Sequence, residues 1–384
     1  MILSEYKSKE LIAQYGVTIP EGRAASTPAE AEERCREIEA TNYVVKAQIG
    51  AGGRGLAGGI KFAATPSAVR DEAGRMLGKP LVTEQTGTGG EIVEKVYIEA
   101  AIEIESDAFI AIVLDPATAR PTLLASASGG VEFEQMTRMD PDVVSNLALT
   151  EGADVAGFLD GLGFADAMSA ASTVDAAKKA FIANDMTLLE INPFSKSACG
   201  DWIAVDAKIV LDGNAMFRHP EHEALMSDQT LTPAERIAQE NEINLVKLDG
   251  DIGVVVNGAG LGLAINDMLA DAGGRPANFM DIRTTATTFH IAKGVELLLD
   301  DPAVKLILLN VHGGGMTVCD TVAEGVAFAY SRSDRKPPIV ARLDGQNAAW
   351  ALKILGDRKL PVEACENMTA AVARAVAIAG GRAV

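Results

Sequence analysis

The 384-residue chain is poor in the residue types that define several classes of protein. It has four cysteines, Cys35, Cys199, Cys319 and Cys365, none in a C-x-x-C pair, which argues against a disulfide framework and against a thiolate zinc site. Of its four histidines, His219 and His222 flank Glu221 but lack a third spaced ligand, so the spacing gives no basis for zinc chemistry. Basic residues are in deficit: 34 Lys and Arg stand against 53 Asp and Glu, a net charge of −19. Such a surface repels polyphosphate backbones and anionic lipid, and no basic patch offsets it, so neither nucleic acid nor membrane is expected as a partner. No apolar run approaches the ~18 residues of a membrane span. The opening MILSEYKSKELIAQYG mixes charges into a helical pattern and lacks the basic start and apolar centre of a signal peptide, which points to the cytoplasm.

What remains is an ordinary globular composition, 48% hydrophobic and 23% charged, on a chain long enough for two or three cores. A helix is predicted over 1–20, with Ser4 as its cap and Leu11, Ile12 and Tyr15 on one face, and a second over 28–40. Strand signals follow at 43–49 and 60–63, and then closely spaced between 92 and 127, which predicts antiparallel pairing. A helical region covers 153–184, and LLEINPF and WIAVDAKIVLD read as a strand pair about a turn at 197–201. The polar stretch near 218–245 reads as a linker that includes a helix. Beyond it, apolar runs at 254–256 and 306–309 alternate with helices, the signature of a parallel doubly wound sheet. The fold class is α/β: an α+β domain over 1–225, a linker over 226–245 and a doubly wound domain over 246–384.

Four motifs carry chemistry. Six of the thirteen residues after Lys46 are glycine, with Arg54 among them; glycine lets backbone N–H groups approach an anion, and the two cations suit phosphate oxygens. The chain has no G-x-x-x-x-G-K-[ST] loop, and the same glycines would serve a hairpin that only turns. Glu190, Asn192 and Asp206, on paired strands, form a hard-oxygen set suited to Mg²⁺, or equally a polar sheet face. Asn257-Gly258-Ala259-Gly260 follows a strand and opens a helix; it fails the dinucleotide fingerprint, and serves either an anion at a helix N-terminus or tight strand–helix packing. His312-Gly313-Gly314 ends another apolar strand, where open α/β sheets bind ligands, although a loop histidine is the commoner reading.

Nine segments in register resemble the succinate–CoA ligase β-subunit family, whose members are ATP-grasp proteins. They include EYKSKELIAQYGV, VVKAQIGAGGRGLAGGIK, LASASGGVEFE, LLEINP, VDAKIVLDGNAMFRHPE, LDGDIGVVVNGAGLGLAINDM and VHGGGMTVCD, and the match runs almost end to end. The resemblance implies an N-terminal ATP-grasp domain and a flavodoxin-like C-terminal CoA-ligase domain. It implies Mg²⁺ as cofactor and ATP as substrate; the sequence does not itself separate ATP from GTP. The family's reaction phosphorylates a histidine of a partner α subunit, passes the phosphate to a small carboxylic acid and lets CoA displace it; the α subunit carries the histidine and the CoA site. By the same resemblance, Lys46 and Gly53-Arg54-Gly55 contact the nucleotide phosphates, and Glu99 and Ile102 lie in the hinge near base and ribose. Asp107 stands at a further nucleotide contact, Asn192 and Asp206 bind the metal, and Glu190 is a catalytic carboxylate near the phosphohistidine. Asn257, His312, Gly313 and Gly314 face the acid.

Three departures from the family pattern stand out. Asp107 replaces a glutamate. Arg283-Thr284-Thr285 replaces three glycines. His312 and an extra glycine replace Phe-Gly-Gly, with Val318 where an arginine precedes Cys-Asp. The last two fall on the acid side, so Arg283 and His312 are expected to retune the pocket toward another small anionic acid, such as a hydroxylated, sulfonated or branched one. The alternatives are an ordinary succinate enzyme whose loops have drifted, a non-catalytic ATP-binding paralogue, and a free-standing carboxylate–amine ligase.

Overall fold

Strands and helices alternate in two different ways along this chain, and the computed structural model of the protein divides into two units, Met1–Thr230 and Leu231–Val384. The structure describes residues 1–381 other than 88, 131–132, 227–232 and 242.

In the first unit, strands pair antiparallel in two main sheets. The smaller places Gly22–Ala25, Lys95–Ala100, Tyr43–Gln48 and Ile60–Ala63 side by side. Period-two alternation buries Val45, Ala47, Val96 and Ile98 in one core with Ala31, Val69 and Ala73 of the helices Pro28–Cys35 and Pro66–Met76. Both helices begin alike: Thr27 and Thr65 accept the N–H of Glu30 and Ala68, and proline fills the first turn, where its missing N–H costs nothing.

The larger sheet orders Trp202–Ala204, Met186–Ser197, Ile104–Asp115, Arg120–Ser126 and Ser145–Ala148, and Ala207–Leu211 also pairs with Met186–Ser197. Ala170, Val174, Ala177 and Phe181, three and four apart on the helix Ala167–Ala183, share its core with Ile110, Ile112, Leu189 and Ile209. The antiparallel pairing expected between 92 and 127 is present, as is the strand pair about 197–201. Three elements differ from expectation. The first helix is only Glu5–Ala13, because Gly16 turns left-handed (φ 96°) and closes the chain back on Ala13; Ser4 Oγ makes no capping bond. The second helix stops at Cys35. The region 153–184 is two helices, Val155–Gly161 and Ala167–Ala183, interrupted by Gly163 and Asp166 at positive φ.

In the second unit the strand order is Asn244–Lys247, Asn278–Asp281, Ile252–Val256, Leu306–Gly313, Ile339–Gly345, Val362–Ala364. The last five are parallel and run 2-1-3-4-5, the flavodoxin-like order; the first is an antiparallel edge. One face of the sheet shares a core with helices Thr288–Asp300, Cys319–Arg332 and Ala348–Asp357, the other with Ala259–Asp271 and Met368–Ala379. Strand order therefore reverses between Ile252–Val256 and Leu306–Gly313, and their C-terminal ends deliver Asn257 and His312 to one crevice. Of the stretch read as a linker, 227–232 and 242 lie outside the described residues, Pro233–Glu240 is helical, and Asn244 opens the edge strand. Among the described residues no helix is long and apolar enough to cross a membrane.

Leu309 is fully buried in the core on the three-helix face. Leu309→Ala is expected to lower the unfolding free energy by about 2–5 kcal/mol, read from the urea midpoint, and a loss below about 1 kcal/mol would place it outside that core.

Candidate functional site

The first unit buries an ionic network where charges are costly. Helix Glu5–Ala13 turns Glu5 and Lys9, one helical turn apart, inward instead of to water. Lys46 Nζ lies 2.8 Å from Glu5 Oε1 and 2.8 Å from Val205 O, and also pairs with Glu99. Lys9 pairs with both Glu99 and Glu5. Arg54 reaches out of the glycine loop to Glu5 Oε2 at 2.7 Å, to Ala47 O at 3.0 Å and to Asp206 Oδ2 at 2.6 Å. Three cations thus meet three carboxylates, and the buried set is neutral in sum, the arrangement that removes the cost of an unpaired buried ion.

Burial opposes the Glu5 carboxylate, but Arg54, Lys46 and Lys9 outweigh it and hold its pKa well below the ordinary value. Burial also opposes the Lys46 ammonium, and Glu5, Glu99 and Asp206 raise its pKa above that of a free lysine. Lys9 goes the other way: burial and the neighbouring Lys46 draw its pKa down against the pull of Glu99 and Glu5.

A cavity of about 890 Å³ opens beside this network. Gly53, Arg54 and Gly55 line it, as do Glu190, Asn192, Asp206 and Lys208, the last opposite Glu190 in the strand register. Asn192 and Asp206 both sit where regular pairing breaks: Met186–Ser197 is irregular between Ile191 and Phe194, its Asn192–Pro193 peptide is cis, and the partner strand is interrupted at Val205-Asp206. Asn192 Oδ1 accepts the N–H of Gly130 at 2.8 Å. Gly129 beside it has no room for a side chain, since a Cβ there would stand 2.1 Å from Ala108 O. Phe109 and Phe133, stacked at 4.5 Å, supply an apolar surface.

Of the remaining nucleotide-side residues, Lys46 and Glu99 lie behind Glu5 rather than on the cavity wall, 4% and 1% exposed. Ile102 occupies the bend between Lys95–Ala100 and Ile104–Asp115, away from the cavity, and Asp107 accepts Ser195 Oγ–H at 2.6 Å. Glu5 and Lys9 escaped the sequence reading because a Glu–Lys pair four apart on a helix ordinarily marks a solvated face; the signal available was that both chemistry-bearing ends fall beside Lys46 only after folding.

In the second unit the crevice is closed by side-chain-to-backbone bonds. Asn257 Nδ2 donates to His312 O at 2.7 Å, and His312 N donates to Asn257 Oδ1 at 2.8 Å. Gly258, at φ 97°, opens helix Ala259–Asp271, and its N–H already meets a carboxylate, Asp281 Oδ1, at 2.5 Å. Gly314 N bonds Thr317 O, which shapes the Gly313-Gly314 loop. Arg283 and His312 are both exposed and diverge: the guanidinium donates to Asn244 Oδ1 at 3.1 and 3.3 Å on the edge strand, whereas His312 Nδ1 lies 3.6 Å from Asp344 on the far side of the switch point.

These two sites correspond to two known domain families. A family model described as ATP-grasp domain matches residues 2–196, and one described as CoA-ligase matches residues 255–377. Succinate–CoA ligase [ADP-forming] subunit beta of Acidiphilium cryptum is 38% identical over 393 residues, covering 98% of each chain, and that of Staphylococcus aureus is 40% identical over 376 residues, covering 96% of each. The fold also matches ATP citrate lyase from Methanothrix soehngenii, solved with citrate and coenzyme A, at a TM-score of 0.75 and 18% identity, over 97% of this chain and 98% of that one. The chain is thus built as an ATP-grasp domain joined to a CoA-ligase domain. It belongs to the succinate–CoA ligase β-subunit family, a family of ADP-forming acid–thiol ligases.

Removing one cation from the buried network leaves a carboxylate uncompensated. Lys9→Met is expected to cost about 3–5 kcal/mol in urea denaturation, with a large part regained in Lys9→Met/Glu99→Gln. The pH dependence follows from Glu5. Its folded pKa lies below the unfolded value near 4.5, so its contribution is complete above that value and is lost as pH falls beneath it. Stability should therefore drop steeply on acidification below about pH 5, and Glu5→Gln should flatten the profile there.

Proposed function

We propose that this chain is the nucleotide- and acid-binding subunit of an ADP-forming acid–CoA ligase, working with a partner α subunit that carries CoA and a transiently phosphorylated histidine. The carrying observation is the cavity whose lining brings Arg54 and the Gly53–Gly55 loop together with Glu190, Asn192 and Asp206. Phosphoryl transfer asks a protein chiefly for position and charge neutralisation, and this set of residues offers both.

Arg54 and the loop N–H groups hold the phosphate oxygens, while Lys46, fixed behind them, neutralises Glu5 and Glu99. The donor set fits a hard divalent cation: Asn192 Oδ1 keeps a lone pair beyond the one Gly130 uses, and Asp206 gives only Oδ2 to Arg54. Mg²⁺ held by these two residues would supply further neutralisation of phosphate charge. Glu190, on the same strand as Asn192, stands beside the phosphate where the partner's imidazole approaches, positioned to stabilise the developing imidazolium.

At the second site the phosphoimidazole gives its phosphate to a small carboxylic acid, and the thiol of CoA displaces that phosphate. Asn257 and the Gly313-Gly314 loop present backbone and amide groups to the acid at the switch point. Arg283 and His312, exposed on either side of it, tune the choice of acid toward an anionic substrate other than succinate. An ordinary succinate enzyme with drifted loops is the second reading, favoured by the divergence of these two side chains.

The reading is tested by CoA-dependent ADP release from this chain co-purified with its α partner, across succinate, malate, itaconate, sulfoacetate, 3-hydroxypropionate and acetate. Turnover of one acid well above succinate, lost in Arg283→Gly or His312→Phe, supports the tuned pocket; strong succinate turnover supports the second reading. Silence with every acid while Mg-ATP still binds would overturn catalysis in favour of an ATP-binding paralogue. Asp206→Asn is expected to cut the rate by about 10²-fold or more.

A further inference from the structure

The last segment of the first unit folds back on itself to assemble a cluster outside both sites. Two short 3₁₀ turns, Gly213–Arg218 and Pro220–His222, return to the corner Asn184-Asp185 that joins helix Ala167–Ala183 to strand Met186–Ser197. Sequence spacing offered only His219, Glu221 and His222, too few and too close to read as a metal motif. Folding brings a nitrogen from each ring and an oxygen of Glu221 within 4.8 Å of one another. The two imidazoles stack at 4.6 Å.

The corner also sets the tautomers. Asn184 Nδ2 donates to Ala180 O at 2.9 Å and to Tyr15 Oη at 3.0 Å, so its Oδ1 faces His222 Nε2 at 3.0 Å as an acceptor. His222, buried, therefore carries a proton on Nε2, which leaves Nδ1 as its lone-pair nitrogen. His219 Nε2 lies 2.6 Å from Asp185 Oδ2, and Asp185 is itself gripped by Arg218 Nε and Nη2 at 2.7 and 2.5 Å. His219 Nδ1 is left facing Glu221 Oε1 at 3.0 Å. His222 thus gives one N–H to an oxygen fixed by the fold and keeps Nδ1, the outer-shell pattern of metal-ligating histidines, whereas His219 hydrogen-bonds carboxylates through both nitrogens, so an ion would take the place of the proton on its Nδ1.

We propose that His219, His222 and Glu221 bind one divalent transition ion of the zinc type, through the two Nδ1 atoms and the Glu221 carboxylate, with water in the fourth position. Ligand atoms around tetrahedral zinc stand about 3.4 Å apart; Glu221 Oε1 lies 3.0 Å from His219 Nδ1, and its side chain, 64% exposed, has room to adjust around an ion. Two imidazoles and one carboxylate suit zinc or cobalt, while Mg²⁺ prefers an all-oxygen shell, so this site and the nucleotide-linked one take different ions. A bound ion would clamp the segment 213–222 onto the corner that starts the strand bearing Glu190 and Asn192.

The test is titration of Zn²⁺ into the chelator-treated full-length chain with Mg²⁺ in excess, together with the visible spectrum of the Co²⁺ form. One ion per chain and a tetrahedral Co²⁺ spectrum are expected. Glu221→Gln, at an exposed position that leaves the fold alone, should weaken binding tenfold or more, and His222→Gln should abolish it. Asp185→Asn should weaken it about 10–100-fold. Absence of stoichiometric binding, an octahedral Co²⁺ spectrum, or an affinity unchanged by Glu221→Gln would overturn the site.

Discussion

The first unit is organised around three cations and three carboxylates that meet together, all buried except Asp206, which reaches the cavity. Each ion alone would cost several kcal/mol to bury, and only the neutral sum makes the set tolerable. The consequence is spatial: Lys46 comes from one sheet, Asp206 from the other, Arg54 from the glycine loop, and Glu5 and Lys9 from the N-terminal helix. No element can leave without stranding a charge. The N-terminus is held to the same end by extended pairing, since Leu211 N bonds Met1 O and Leu3 N bonds Ile209 O. Glu5 is therefore a structural anchor of the glycine loop, delivered by a helix that has few other reasons to bury its polar face.

The second unit solves a different problem. A doubly wound sheet leaves the C-terminal ends of its first and third strands free at the reversal of strand order, and reciprocal bonds between Asn257 and His312 fix the two loops there. Asp281 meets the Gly258 N–H, so a carboxylate of the chain already sits at that helix start. What varies around this rigid frame is exposed: Arg283, Thr284, Thr285 and His312 can change without disturbing the core beneath.

Much of the fold was legible because apolar periodicity and motif order survive without tertiary information. Val254–Val256 and Leu306–Leu309 announced buried parallel strands, and the family segments fixed the two domains in sequence. The edge strand Asn244–Lys247 and the short Val362–Ala364 were not legible, since neither has the apolar run that marks a strand; each is held by backbone pairing to a stronger neighbour. At the candidate site, the glycine loop, Asn192 and Asp206 could be read as motifs. Glu5 and Lys9 could not, because their roles depend on charges 41 and 90 residues distant along the chain. Nor could the Asp185 corner behind His219, which lies 34 residues from the histidine it orients.

The central claim is that Arg54 and the glycine loop, proposed to bind phosphate, are held in place by the ionic network behind them. Mg-ATP affinity of the folded Lys9→Met chain, measured by calorimetry beside the parent, tests it most directly, since Lys9 is fully buried and outside the cavity wall. The account predicts a loss of tenfold or more with a native circular-dichroism spectrum. An unchanged affinity would show that Lys46 and Arg54 keep their positions without the network.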